Sequence, residues 1–204
     1  DGWIEMHRDE DKLKTASVGA ESSQQQGIEH KVLSIAQLKE LEPNGNFDDF
    51  IGAIHWSNSW QVSNPGALVK AYAKSFQSMN GTIGESTVKE IRLDGDGWQV
   101  ITDQETFYSD DVVIAAGPWS NQLIKPLGYD LPLFPMRGYH QHFETTEKNK
   151  IYHSLVDIDK GFVMGPMQQG IRITTGAEMT TMDAPKNFDQ LNAVLRFAQA
   201  VLPL

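Results

Sequence analysis

The 204-residue sequence contains no cysteine and no long apolar run. The first absence excludes disulfides, thiolate nucleophiles and cysteine-based metal sites. No apolar run approaches the roughly 18 residues that a membrane-spanning helix needs, and the chain does not open on a secretory signal. We therefore expect a cytoplasmic protein, and the sequence gives no indication of membrane association.

Basic residues are also scarce. The chain has 17 Lys and Arg against 27 Asp and Glu, which gives a net charge of -10 at pH 7. Binding to phosphate backbones needs clustered Lys and Arg, so nucleic acid is not expected as a partner. Hydrophobic residues make up 40% of the chain. That is enough for a core, and the length fits one domain or one and a half.

The glycine-rich turn of dinucleotide-binding folds is missing as well. The only Gly-x-Gly is Gly95-Asp96-Gly97, and Val100 stands where the third glycine of G-x-G-x-x-G would be. The run Asp94-Gly95-Asp96-Gly97 is instead a strong signal for a β-hairpin turn. We therefore do not interpret these glycines as a cofactor motif.

Local patterns predict three clear helices. Ser34 and Gln37 form a capping-box pattern that starts a short helix. Asn64-Pro65 starts a longer one, and Asn80-Gly81 ends it, with the glycine expected in the left-handed cap. A third helix is predicted over about 187–202, where apolar residues recur at helical spacing.

Apolar patterns predict two groups of strands. The first is a hairpin around Asp94–Gly97 and a short strand at Phe107–Tyr108, followed by the apolar run Val112–Gly117. Such a continuous run is typical of a strand buried on both faces of a parallel sheet. The second group comprises longer antiparallel strands over 133–177. The predicted fold class is α+β, with a mixed or antiparallel sheet packed on the helices at 64–80 and 187–202.

Four segments, in this order, carry a family resemblance. They read QVSNPGAL from Gln61, VVIAAGPWS from Val112, LGYDLPLFPMRGY from Leu127 and GAE from Gly176. Their order and spacing resemble the D-amino-acid oxidase-like superfamily of FAD-dependent oxidoreductases, which includes glycine oxidases, sarcosine oxidases and bacterial D-amino-acid dehydrogenases. The resemblance covers about residues 30–202.

Composition and resemblance together predict a domain organisation. Residues 9–30 are polar and rich in Gln and Ser, so residues 1–30 are expected to form a polar N-terminal segment, with a surface helix or mobile stretch over 9–30. Residues 31–204 would form a substrate domain that includes, over about 82–126, part of an FAD-binding domain without its Rossmann βαβ start. The chain would then be an internal fragment of such an enzyme.

The resemblance also implies which residues contact the cofactor, FAD. In this sequence they are Val88, Ala115, Ala116, Gly117 and Trp119. The small side chains that end the apolar run would let the backbone approach a flat ligand closely.

Substrate contacts are implied at Phe162, Met164 and Glu178, each of which could equally be an ordinary strand residue. Arg137 has two interpretations that the sequence leaves open. It is either the anchor for an amino-acid carboxylate through its planar fork or a member of a strand-end ion pair. No catalytic residue is predicted, because in such enzymes the flavin supplies the chemistry.

The implied function is the FAD-dependent oxidation of the CH–NH group of small amino acids or amines, by a fragment expected to be inactive alone. The alternative is a non-catalytic, truncated domain that binds a ligand or partner. Between these lies a two-part enzyme completed by another chain, and exposed apolar faces would also favour a homodimer. His140 and His142 share a strand face but lack a clear third ligand, so no metal site is expected.

Overall fold

The computed structural model describes residues 2–204 and contains ten β-strands and five α-helices. The strands are β1 (Trp3–His7), β2 (His30–Leu33), β3 (Gly52–Trp56), β4 (Val88–Asp94), β5 (Gly97–Thr102), β6 (Thr106–Ser109), β7 (Met136–Phe143), β8 (Ser154–Asp157), β9 (Phe162–Met167) and β10 (Gly170–Met179). The helices are α1 (Glu10–Gln24), α2 (Ile35–Leu41), α3 (Pro65–Ser78), α4 (Ser120–Ile124) and α5 (Asp189–Val201). The α+β prediction is confirmed.

The chain divides into two compact units. The large unit comprises the residues up to Val69, Arg137–Glu178 and Pro185–Leu204, and the small unit comprises Lys70–Met136 and Met179–Ala184. This division does not coincide with the predicted boundary at residue 30. The reason is that β1 pairs with β3 on one side and β8 on the other, so the first strand of the chain is an inner strand of the large unit.

The large unit is built on a seven-stranded sheet with the order β2-β3-β1-β8-β9-β10-β7. β1 and β8 run parallel, whereas β2–β3, β3–β1, β8–β9 and β9–β10 are antiparallel. The sheet is therefore mixed. The predicted antiparallel strand pair that follows residue 160 is β9 and β10, in register from Gly170 opposite Met167 to Thr175 opposite Phe162.

One face of this sheet forms the hydrophobic core with α2 and α5. Alternate residues point to the same face of a strand, and Ile4 and Met6 of β1 are both fully buried. Leu38 of α2 and Ala198 of α5 belong to the same cluster of buried side chains. The predicted helix at 187–202 thus packs its apolar face into this cluster.

The other predicted helices form with small differences at their ends. The capping box of α2 is present, because the side chain of Ser34 accepts from the Gln37 backbone and that of Gln37 accepts from the Ser34 backbone. Asn64 caps α3 by accepting from the backbone N–H of Ala67 at 2.9 Å. After α3, however, Asn80 takes the left-handed conformation (φ 67°) expected of Gly81. Asparagine tolerates this region better than most residues.

α1 confirms the prediction of a surface helix within 9–30. Its N-cap Asp9 accepts from the backbone N–H of Lys12 at 3.0 Å, and Ala20 is its single buried residue. Among residues 2–204, no helix has the length and apolar character required to cross a membrane.

The small unit contains a three-stranded antiparallel sheet with the order β4-β5-β6. The predicted hairpin is correct, and Gly95 adopts φ 61° in its turn. The prediction of a buried strand over Val112–Gly117 is wrong for this chain. Residues 111–116 form no helix or strand, and the side chain of Val113 is 90% exposed. A strand of a parallel sheet pairs with at least one neighbour and is covered on both faces, and no other strand of the small unit pairs with this segment.

Candidate functional site

An apolar cavity of about 290 Å³ in the small unit brings together three of the five predicted cofactor residues. Val88 contributes from the start of β4, and Ala115 and Ala116 contribute from the unpaired segment. The remaining walls are Ile91, Val100, Val112, Val113, Ile114 and Leu123. All nine lining residues are apolar, so the walls suit the uncharged face of a flat ring.

Gly117 and Trp119, the other two predicted cofactor residues, do not line this cavity. Gly117 has φ 54°, a left-handed conformation that glycine adopts without strain. Trp119 follows it and is 54% exposed. Contact of any of the five residues with a cofactor stays a prediction.

The predicted substrate residues belong to the large unit, and two of them point into its core. Phe162 and Met164 are 1% and 0% exposed and belong to the buried cluster. Their neighbours Val163 and Gly165 point to the opposite, open face of β9 and line a cavity there. Substrate contact by Phe162 and Met164 stays a prediction, but in this structure both are core residues.

The cavity on the open face has a volume of about 130 Å³, and four of its nine lining residues have polar side chains. Arg172 and Thr174 of β10 lie opposite Gly165 and Val163 in the sheet register. The other lining residues are Gln61, Val62, Ser154, Pro166 and Met167. No carboxylate lines this cavity, whose single charged residue is Arg172.

Three hydrogen bonds hold the loop that closes this cavity. Ser154 donates to Gln61 Oε1 at 2.6 Å. Asn64 donates to Gln168 Oε1 at 2.6 Å, and the backbone N–H of Gln168 donates to the carbonyl of Ser63 at 3.0 Å. The segment QVSN therefore lies against the turn between β9 and β10 and forms a fixed wall.

Arg137 and Glu178 are engaged within the large unit. Tyr139 donates to Glu178 Oε2 at 2.8 Å, and Arg137 donates to Tyr139 Oη at 3.5 Å and to the carbonyl of Pro185 at 3.2 Å. The hydrogen bond to Tyr139 raises the pKa of Arg137. These contacts bring Arg137 and Glu178 into one polar cluster, and both interpretations of Arg137 stay predictions.

A second polar cavity, of about 440 Å³, lies between β1, α1 and the end of β8. Glu5 and His7, both almost fully buried, line it. Glu5 Oε2 accepts from Trp56 Nε1 at 3.2 Å, and Glu5 Oε1 lies 3.0 Å from His7 Nε2. Neither ring nitrogen of His7 makes a hydrogen bond of good geometry within residues 2–204. Nothing in the sequence patterns identified this pair.

A buried carboxylate also connects α2 to β8. Glu42 is fully buried and accepts from the backbone N–H groups of Tyr152 and His153 at 3.0 and 2.7 Å. Nδ1 of His153 lies 2.7 Å from the same carboxylate. His55 packs edge-on against His153, and burial together with His153 lowers the pKa of His55.

The rings of His140 and His142 lie 5.3 Å apart on β7. Burial lowers the pKa of His142, and the nearby His140 and Arg172 lower it further. Within the described part of the chain, residues 2–204, no three His, Asp or Glu side chains are grouped as a metal site would require.

Comparison with known proteins identifies the family. The family model for FAD-dependent oxidoreductases designated DAO matches residues 1–204. The chain belongs to this family. It is 26% identical over 183 residues to a D-amino acid dehydrogenase of Rhizobium rhizogenes, covering 86% of this chain and 42% of that protein. It is 33% identical over 121 residues to the peroxisomal sarcosine oxidase of Mus musculus, covering 55% of this chain and 28% of that protein.

The fold agrees with this assignment. The crystal structure of glycine oxidase from Geobacillus kaustophilus matches all of this chain and 54% of its own, with a TM-score of 0.86 and 22% identity. The predicted family resemblance is therefore confirmed. The chain spans about half or less of the length of these relatives.

The cofactor of this family is FAD, and the small unit fits part of it. The cavity at Val88, Ala115 and Ala116 offers apolar walls and two small side chains to a flat ring. The same walls carry no charged or hydrogen-bonding side chain. The side chains present therefore suit a ring portion of the cofactor.

Arg172 lines the open-face cavity, and no sequence motif identified it. The register of β9 and β10 places it opposite Gly165, on the face that Phe162 and Met164 do not share. A hairpin that is fully buried on one face should carry its accessible residues at the alternate positions. The alternation of buried and accessible residues along β10 could therefore have indicated from the sequence that Arg172 is accessible.

Proposed function

We propose that this chain forms the substrate-side part of an FAD-dependent oxidoreductase acting on the CH–NH group of amino acids or amines. The observation that carries the proposal is the DAO family match over residues 1–204. The relatives named D-amino acid dehydrogenase and sarcosine oxidase support nitrogen-bearing substrates.

In the proposed enzyme, the small unit contacts the cofactor and the large unit contacts the substrate. Val88, Ala115 and Ala116 of the small unit would contact a ring of FAD, and the open face of β9 and β10 in the large unit would contact the substrate. Held beside Val88, Ala115 and Ala116, the flavin would supply the acceptor for the hydride of the carbon that carries the nitrogen. The protein side chains position the substrate and exclude water.

The 204 residues alone are proposed to be inactive. The chain lacks a G-x-G-x-x-G turn, and no side chain that lines the apolar cavity can donate to a phosphate. A second candidate role, a partner-binding domain or one part of a two-part enzyme, is supported by the unpaired segment 111–116 and the 90% exposure of Val113. A complementing chain or a second copy would cover that segment.

Anaerobic flavin reduction tests the proposal. The chain would be mixed with FAD, alone and together with a separately produced segment that carries the strand, G-x-G-x-x-G turn and helix. Only the combination should bind FAD and lose the visible absorbance of oxidised flavin, and only with amino acids or amines. Reduction by 2-hydroxy acids in place of nitrogen compounds would contradict the reaction class.

A cavity-filling variant tests the cofactor residues. Ala116→Leu narrows the apolar cavity and should weaken FAD binding in the reconstituted protein. Ala71→Leu places the same side chain at an exposed position of α3 and serves as the matched control. Equal FAD affinity of the two variants would contradict the assignment of Ala116.

A further inference from the structure

Glu5 and His7 form a buried polar pair on the face of β1 that points away from the hydrophobic core. Alternate residues share a strand face, and Glu5 and His7 are 8% and 1% exposed. Glu5 Oε2 accepts from Trp56 Nε1 at 3.2 Å. Within residues 2–204, no Lys or Arg side chain makes an ion pair with Glu5. Buried carboxylates are normally paired with a cation, so Glu5 lacks the partner that such a group usually has.

The ring of His7 does not complete this pair. Nε2 lies 3.0 Å from Glu5 Oε1, but neither ring nitrogen makes a hydrogen bond of good geometry within the described chain. A neutral ring with its proton on Nε2 leaves Nδ1 as a free acceptor, and a protonated ring leaves Nδ1–H as a free donor. A buried polar atom without a partner is destabilising. The His7 ring therefore indicates a binding group at this position that residues 2–204 do not supply.

The cavity of about 440 Å³ beside this pair is covered by α1. Gly52 stands opposite His7 in the register of β1 and β3, and a Cβ at Gly52 would lie 2.7 Å from Leu13 Cδ2. The lack of a side chain at Gly52 therefore lets α1 approach the sheet closely. The cavity volume is in the range of small-molecule sites, roughly 300–1,000 Å³. Ala16 of α1 and Ile158 after β8 give the cavity apolar walls.

The charged residues that line this cavity are mostly acidic. Glu5, Asp11 and Asp159 contribute carboxylates, and Lys12 is the single Lys or Arg among the lining residues. Lys12 forms an ion pair with Asp159, and the hydrogen bond from Lys12 lowers the pKa of Asp159. The lining is therefore net negative whether His7 is neutral or protonated, which favours a cationic ligand. Within residues 2–204 no three His, Asp or Glu side chains are grouped as a metal ion requires, so an organic cation fits better.

We propose that the cavity between β1 and α1 binds a small alkylammonium ion, with its nitrogen at Glu5 and His7 and its alkyl chain along Ala16 and Ile158. An ammonium group has three N–H donors, which can serve both the Glu5 carboxylate and Nδ1 of a neutral His7 ring. An α-amino acid is excluded, because its carboxylate would lie close to Glu5 and Asp11. The site shares no lining residue with the cavity at β9 and β10. The proposal assigns a binding site without further chemistry, and it does not depend on the proposed function.

NMR titration of the 204-residue chain without FAD tests this site. The ring-nitrogen signals of His7, identified through the variant His7→Gln, would be followed at fixed pH while n-butylammonium chloride replaces potassium chloride at constant ionic strength. Norvaline, which is n-butylamine with a carboxylate on the carbon that carries the nitrogen, is the matched probe. Butylammonium should shift the His7 signals in a saturable way, and norvaline should not. Signals that do not respond to butylammonium, or that respond equally to norvaline, would overturn the proposal.

Three variants separate the site from a general effect of charge. Glu5→Gln keeps an acceptor for Trp56 but removes the carboxylate, and it should weaken butylammonium binding about tenfold or more, the size expected for a charged hydrogen bond. Ala16→Leu fills the cavity from α1 without changing any charge and should also weaken binding. Glu40→Gln removes one exposed carboxylate from α2 and should bind butylammonium like the unchanged chain.

Thermal unfolding of each variant shows whether the fold is retained. If Glu5→Gln does not fold, the comparison of Ala16→Leu with Glu40→Gln decides the outcome. Equal butylammonium affinity of these two variants would overturn the proposal, and so would an unchanged affinity in folded Glu5→Gln. Because these titrations contain no flavin, their failure leaves the proposed function untouched.

Discussion

The two units of the chain use similar apolar sequence patterns with opposite results. In the large unit the apolar residues of β1, β9, β10 and α5 meet in one buried cluster. In the small unit only Ile91 and Ile124 are buried hydrophobic residues, and no residue of α3 is buried. Tertiary packing supplies most of the stability of helices and sheets. The large unit therefore has a complete core, and the small unit leaves many of its apolar side chains exposed.

The largest expected effect comes from breaking the core of the large unit. Phe162→Ala should lower the free energy of unfolding by about 3–5 kcal/mol, since it removes a buried aromatic ring and leaves a cavity. Phe107→Ala in β6 of the small unit, where the ring is 44% exposed, should cost less than about 1 kcal/mol. Urea unfolding of both variants measures the difference. Similar costs would mean that the small unit has a core of its own.

The second largest effect on the free energy of unfolding is expected from removing the buried carboxylate of Glu42. Glu42→Ala removes the acceptor of two backbone N–H groups and the partner of His153, and should cost about 3 kcal/mol. The small-unit counterpart is Asp103, which accepts from the backbone N–H of Thr87 at 2.9 Å on the surface. Asp103→Ala should have a smaller effect in the same urea experiment. A larger loss in the free energy of unfolding for Asp103→Ala than for Glu42→Ala would contradict the predicted order.

Mild acid should produce the smallest effect, and only in the large unit, which contains all six histidines. Burial lowers the pKa of His55 and of His142. The unfolded chain therefore binds protons more readily than the folded one below the usual value of about 6.5. Stability from these groups is complete above that value and is lost as the pH falls through the lower folded pKa.

NMR titration of the histidine ring signals checks this direction, together with urea unfolding at neutral and mildly acidic pH. The double variant His55→Asn/His142→Asn should lose the part of the pH dependence that these groups contribute. Titration midpoints at or above the usual histidine value would show that the rings are not held in a desolvated environment.

Features set by local sequence were predictable, and features set by distant partners were not. The capping box at Ser34 and Gln37 and the hairpin turn at Asp94–Gly97 depend on a few adjacent residues, and both formed as predicted. The apolar run Val112–Gly117 predicts a buried strand only if neighbouring strands are present, and this chain does not pair it. Such pairing cannot be inferred from the run itself.

The candidate site shows the same limit at the level of single residues. The family resemblance implied substrate contacts at Phe162 and Met164, and in this structure both lie on the core face of β9. The face of a residue depends on the register between β9 and β10, and a shift of one residue exchanges the two faces. The same register puts Arg172 on the open face, where no motif had marked it.

Amide hydrogen exchange followed by mass spectrometry tests the difference between the two units most directly. Exchange rates report local opening, which should be rare in a packed sheet and frequent in a segment without pairing. The amides of β8, β9 and β10 should exchange far more slowly than those of residues 111–116 and of β6. Equal protection of the two regions would contradict the conclusion that the chain has one complete and one incomplete core.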